Sequence, residues 1–88
     1  MNAIADGDLI LAKAHLRQCK PETILEAPVW WQRRRMQTCH FIAAKLERHS
    51  FTEPGAKAAT LKKTAARLRN SAATIQKIID ADPNDNQP

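Results

Sequence analysis

The residues best suited to bind a ligand or a partner are clustered at positions 30–35, which read Trp-Trp-Gln-Arg-Arg-Arg. The two tryptophans of this cluster are the only ones in the chain, which has no tyrosine. Guanidinium groups bind phosphates and carboxylates in a two-pronged geometry, and exposed indoles stack on unpaired bases or anchor protein interfaces. We therefore predict that Trp30, Trp31, Arg33, Arg34 and Arg35 contact nucleic acid or an acidic protein surface.

A structural role is the alternative for the same cluster. Pro28 favours the first turn of a helix, so the arginines would lie near a helix N-terminus, where the helix dipole disfavours cations. An antiparallel helix ending beside them would supply Asp80, Asp82 and its last carbonyls as neutralising groups. Successive side chains of a helix point about 100° apart, so at most two of the three arginines face such a partner. One tryptophan is expected to cover the core while the other stays at least partly exposed.

A second basic feature lies between Pro54 and Ile79, a segment without any acidic residue. Several of its cations share one predicted helix face with Asn70 and Thr74, and such a face suits a run of phosphates. A merely solvated basic face is the alternative. The candidate binding residues of this segment are Lys62, Lys63, Arg67, Arg69 and Lys77.

Metal binding and catalysis find less support in the sequence. His15 and Cys19 are one helical turn apart and Cys39 adjoins His40, but adjacent helical residues diverge and the chain has no C-x-x-C or H-x-x-x-H pair. We expect no metal site and two free thiols, as in a reducing compartment. The chain also lacks a Ser-His-Asp set and a glycine-rich phosphate loop, so we expect neither enzymatic activity nor a cofactor.

The charge is unevenly distributed along the chain. The net charge is +5, and residues 28–79 hold eleven basic and two acidic side chains, whereas residues 1–27 hold three and four. A block of this kind attracts polyanions or acidic protein faces. With no apolar run of about 18 residues and no secretion signal at the start, we expect a cytoplasmic protein without membrane association.

Apolar residues recur at spacings of three and four, which predicts an all-α fold. We expect a first helix over about residues 8–19, which Pro21 ends because proline lacks the backbone donor of the next turn. Residues 21–27 should form at most one short turn, in which Ile24 and Leu25 plug the core.

Two long helices are expected at about 28–50 and 54–80, with Thr52 as the N-cap of the second. The inward stripe of the 28–50 helix is predicted to be Met36, Cys39, Ile42, Ala43 and Leu46. The 54–80 helix carries a seam, two apolar residues per heptad, of Ala58, Leu61, Ala65, Leu68, Ala72, Ile75 and Ile79. Their similar lengths predict a small bundle: a long antiparallel hairpin covered by the first helix, in a single domain over 1–82 with a disordered polar tail at 83–88.

Three functional hypotheses follow from these patterns. The first is a non-catalytic, basic helical accessory protein that contacts nucleic acid, or a complex that processes it, through the Trp/Arg cluster and the basic helix face. The second is a protein-interaction module, such as a small inhibitor or regulator that docks on an acidic face of a larger enzyme. The third is a homodimer formed through the seam of the 54–80 helix, and it is compatible with either of the others.

Overall fold

The computed structural model describes residues 3–81, with the side chains of residues 5–81. Within that range the chain forms four helices and no strand: α1 Ala3–Gln18, α2 Pro21–Glu26, α3 Val29–His49 and α4 Gly55–Ala81. The predicted all-α bundle is confirmed. The predicted tail at 83–88 lies outside the described residues, and the single domain over 1–82 stays a prediction.

The hairpin of α3 and α4 is held together by the seam of α4. Its residues from Leu61 to Ile79 are each no more than 2% exposed, and only Ala58 at its start is half-buried. Alanines alternate with leucine and isoleucine, so α4 lies close to α3 while the large side chains fill the space between them. They pack with the predicted stripe of α3, in which Cys39, Ile42, Ala43 and Leu46 are buried and Met36 is half-buried.

This packing changes one expectation from the sequence. A homodimer through the α4 seam requires that seam to lie on the surface, yet the chain's own helices cover it. The seam's periodicity does not distinguish a partner helix in another molecule from one in the same chain. In this fold a homodimer through the seam would first require α3 and α4 to separate, and the hypothesis stays a prediction.

Helix α1 begins at Ala3, five residues before the predicted start, and runs through Gly7. A glycine inside a helix costs about 1 kcal/mol relative to alanine, but contacts on both sides of it favour the longer helix. Ala5 is buried, Asp6 binds Lys57 of α4, and the Asp8 carboxylate lies 2.8 Å from His49 Nε2 at the end of α3. These two carboxylates fix the start of α1 at the joint between the long helices.

The connections correct three details of local structure. Pro21 ends α1 as predicted and opens α2, which has six residues and so exceeds the single short turn expected. In α2 Ile24 is fully buried, but Leu25 is 65% exposed and so does not plug the core. Thr52 does not cap α4, because its hydroxyl donates a hydrogen bond to the His49 carbonyl at 3.1 Å. It therefore satisfies a carbonyl at the end of α3, where the last carbonyls lack helical partners.

If the seam holds the hairpin together, Leu68→Ala should lower the free energy of unfolding by about 2–5 kcal/mol, because a fully buried leucine leaves a cavity when it is truncated. Urea denaturation followed by circular dichroism measures this. Asn70→Ala, at an exposed position of the same helix, is the control and should change stability by about 0.5 kcal/mol or less. Equal stabilities of the two variants would contradict this packing.

Candidate functional site

The Trp/Arg cluster at 30–35 separates into an inward and an outward part. Trp31 packs against the core, and the Arg35 guanidinium lies over its ring at 4.6 Å from the centroid. Arg35 also donates from Nη1 to His15 Nδ1 of α1 at 3.1 Å. Trp31 and Arg35 therefore help to hold α3 against α1. Their contacts favour the structural alternative for these two residues over the predicted contact with a ligand.

The outward part consists of Trp30, Arg33 and Arg34. Trp30 is 67% exposed, which confirms that one indole covers the core while the other faces solvent. Both arginines are exposed, and the Arg34 guanidinium has no hydrogen-bond or ion-pair partner among side chains 5–81. Of the predicted neutralising carboxylates, Asp80 accepts a hydrogen bond from Gln76 at 2.8 Å, and Asp82 lies outside the described residues.

Arg69 serves the hairpin itself. Its Nε and Nη2 atoms donate to the two carboxylate oxygens of Glu47 at 2.9 and 2.6 Å, and Nη1 donates to His40 Nδ1 at 3.0 Å. The hydrogen bonds from Arg69 lower the pKa of Glu47, and Glu47 in turn raises the pKa of Arg69. Because its donors are already used between α3 and α4, Arg69 is the candidate of the basic segment least able to bind a phosphate.

The other cations of α4 are exposed, and Lys63, Arg67 and Lys77 lie on one outward face of the helix. Lys62 and Lys63 project into solvent, and Arg67 borders a groove between α1 and α4. Lys77 borders a different groove of about 510 Å³, together with Leu25, Gln32, Thr74, Ile78 and Ala81. The predicted stripe therefore runs along one exposed face of α4 and borders one groove at Arg67 and another at Thr74 and Lys77.

The groove beside Arg67, which we call the basic groove, has a volume of about 400 Å³ and is lined by Lys13, Leu16, Arg17, Lys20 and Arg67. Lys13 and Arg17 lie one turn apart on α1, Lys20 lies in the connection that follows it, and Arg67 lies opposite on α4. None of its four cations has a hydrogen bond or an ion pair with a carboxylate in the described part of the chain. The four cations give the groove a positive potential, and a bound anion would reduce the repulsion between them.

Sequence reasoning missed the α1 side of the basic groove. Residues 1–27 have a net charge of −1, because Asp6, Asp8, Glu22 and Glu26 offset their three cations. The acidic residues lie at the start of α1 and in α2, whereas all three cations lie from Lys13 onwards. The 13-17-20 spacing was visible in the sequence, but that Arg67 lies beside it depends on how α1 packs on α4.

A second polar cluster lies inside the bundle. His15, Cys19 and Cys39 are buried, and their potential ligand atoms all lie within 4.8 Å of one another, with the two sulfurs 3.8 Å apart. Hydrogen bonding from Cys39, together with His15 and Arg35, lowers the pKa of Cys19 to about 5, whereas sharing its proton with Cys19 and burial raise the pKa of Cys39. His40, the fourth potential ligand in the sequence, contacts Arg69 instead.

Two further findings bear on function. No helix within residues 3–81 is long and apolar enough to cross a bilayer. Comparisons with protein families, curated proteins and solved structures find no match for this chain. What the protein does must therefore be inferred from its own geometry and charge.

The Glu47–Arg69 pair predicts a pH dependence of stability. Because the folded-state pKa of Glu47 lies below its ordinary value of 4.5, the pair stabilises the protein at neutral pH and ceases to do so as the pH falls through that lowered pKa. Glu47→Gln should cost about 1 kcal/mol or less at neutral pH, as is usual for an exposed pair, and nothing in strong acid. Thermal melts from neutral pH to strong acid measure this difference in stability, with Glu22→Gln at an exposed position as the control. A difference between wild type and Glu47→Gln that does not change with pH would contradict the prediction.

Proposed function

We propose that the protein binds the sugar-phosphate backbone of nucleic acid in the basic groove, as a non-catalytic accessory protein. The observation that carries this proposal is the convergence of Lys13, Arg17, Lys20 and Arg67 on one groove, without a carboxylate among its lining residues. Lysine and arginine contribute most contacts to phosphate oxygens, and such contacts supply nearly all of sequence-independent affinity.

The form of the groove favours a chain of phosphates over a single small anion. Lys13 and Arg17 are one turn apart on α1, Lys20 follows in the connection to α2, and Lys63 extends the α4 side by one further turn from Arg67. A step of four residues along a helix covers about 6 Å, a distance that allows neighbouring cations to reach different phosphates. A row of this kind reads no base edges, so the binding should not depend on sequence.

The outward part of the Trp/Arg cluster suits a second contact with the same ligand. Trp30 offers an exposed ring on which an unpaired base can stack, and Arg34 offers a guanidinium with no partner in the described chain. Stacking on an aromatic ring is open to unpaired bases and not to those inside a duplex. This combination favours single-stranded over double-stranded ligands.

A protein partner is the second candidate, because apolar side chains are exposed at the same end of the bundle. Trp30 and Leu25 are 67% and 65% exposed, and Leu25 borders the 510 Å³ groove. Gln32 in that groove donates to the Ile24 carbonyl at 2.6 Å, while its own buried carbonyl oxygen lacks a partner within the described chain. Exposed tryptophans are typical of the centre of a protein interface, so Trp30 is the candidate anchor for such a partner.

Binding to the basic groove should depend steeply on salt. If four phosphates are neutralised, log K should fall with log salt concentration at a slope of about −2.8 for single strands and −3.6 for duplex DNA. The double variant Arg17→Ala/Arg67→Ala should halve this slope, because it removes two of the four contacts. Fluorescence anisotropy with a labelled homopolymeric oligonucleotide measures both quantities.

The control for that titration is Lys45→Ala/Arg48→Ala, which removes the same charge from α3, away from the groove. It should keep the wild-type slope. Equal losses in both double variants would assign the binding to overall charge and contradict a role of the groove. Absence of binding at about 50 mM salt would exclude the proposal altogether.

The two candidate functions predict different results in affinity purification with and without nuclease. For a nucleic-acid ligand, co-purifying material should disappear after nuclease treatment and in the Arg17→Ala/Arg67→Ala variant. For a protein partner, one protein should co-purify stoichiometrically after nuclease treatment and should no longer co-purify with Trp30→Ala. An interface tryptophan typically contributes 2 kcal/mol or more, roughly a thirtyfold change in affinity. Survival in Trp30→Ala would exclude this indole as the docking site.

A further inference from the structure

We propose that His15, Cys19 and Cys39 form a binding site for Zn²⁺ between α1 and α3. His15 lies on α1, Cys19 lies one residue past its end and Cys39 lies on α3, and each side chain is at most 9% exposed. Cysteine thiolate and histidine imidazole are the ligands that structural and catalytic zinc sites use most. This site is independent of the basic groove, and its test does not depend on nucleic-acid binding.

The distances fit a tetrahedral ion. With zinc–sulfur bonds of about 2.3 Å, two thiolates of a tetrahedral site lie about 3.8 Å apart, and the sulfurs of Cys19 and Cys39 are 3.8 Å apart. The imidazole nitrogen lies within 4.8 Å of both sulfurs, so small side-chain rotations bring all three ligand atoms to bonding distance. Both cysteines are free thiols, as zinc coordination requires.

The surroundings of His15 hold its ring in the required form. Its Nε2 atom lies 3.2 Å from the backbone carbonyl of Arg35, which can only accept, so Nε2 carries the proton. Its Nδ1 atom faces Nη1 of Arg35, which can only donate, so Nδ1 presents a lone pair. A neutral imidazole whose second nitrogen is bonded to a backbone carbonyl is the usual state of a zinc-bound histidine.

Arg35 can give up its contact with His15 when an ion binds. Its guanidinium also lies on the Trp31 ring, which holds the charge through a cation–π contact. Two thiolates and a neutral imidazole balance the charge of Zn²⁺, and the protons lost from the Cys19 and Cys39 thiols pass to solvent. No other cysteine, histidine or carboxylate of the described chain joins this group, so water or an added ligand would take the fourth position.

The sequence pattern did not predict this site because one of its three ligands is distant along the chain. His15 lies on α1, Cys19 directly follows the last residue of that helix, and the third ligand comes from α3, twenty residues away from Cys19. A search for paired motifs finds zinc sites that lie within one short segment. The site formed here depends instead on the packing of two helices.

The experiment is a titration of the reduced full-length protein with Zn²⁺ in competition with a chromophoric chelator. The wild type should bind one Zn²⁺ per chain, and Cys39→Ala and His15→Ala should each bind it at least about 100-fold more weakly, since even the loss of a supporting residue costs 10–100-fold. His40→Ala is the matched control, because His40 adjoins Cys39 but contacts Arg69, and it should retain wild-type affinity.

A second measurement keeps the proposal testable if a variant unfolds. Co²⁺ added to the wild type should produce the visible absorption of a tetrahedral thiolate complex, and Zn²⁺ should displace it. The absence of this spectrum would overturn the proposal. So would Zn²⁺ binding of equal strength in the wild type and in folded Cys39→Ala, because the ion would then lie elsewhere.

Discussion

The packing of the α4 seam against α3 is the constraint on which the rest of the structure depends. It buries the large apolar side chains of α4 and sets the two long helices antiparallel. Helix α1 is then fixed at both ends, by Asp6 and Asp8 at the joint of the hairpin and by the contact of His15 with Arg35. As a result α1 runs alongside α4 in the same direction, and its cations come to lie beside Arg67.

The hydrophobic pattern was enough to predict the elements and their faces. The spacing of apolar residues located both long helices and nearly all of their buried positions, since burial depends directly on that period. Local signals were less reliable where tertiary contacts compete with them. Helix α1 begins before Gly7 because burial of Ala5 favours the longer helix. The Thr52 hydroxyl donates to a carbonyl of α3 and does not cap α4.

The candidate sites were predictable only in part, because charge along the chain does not show which charges meet. Arg35 and Arg69 resemble the other cations in sequence, yet His15 and Glu47 engage them inside the molecule. Arg17 was not predicted because the acidic residues of the same segment offset its charge, although it borders the basic groove. Which cations remain available to a ligand depends on helix packing, which no local pattern encodes.

Helix α1 supports both proposed sites with different faces, since His15 is buried while Lys13 and Arg17 border the basic groove. The measurement that tests the central claim most directly is an amide chemical-shift titration of the isotope-labelled protein with a short single-stranded oligonucleotide. The account predicts that the largest shifts occur at residues 13–20 and 63–67, on the two sides of the groove. Shifts confined to α3 and the end that carries Leu25, or no shifts at low salt, would contradict it.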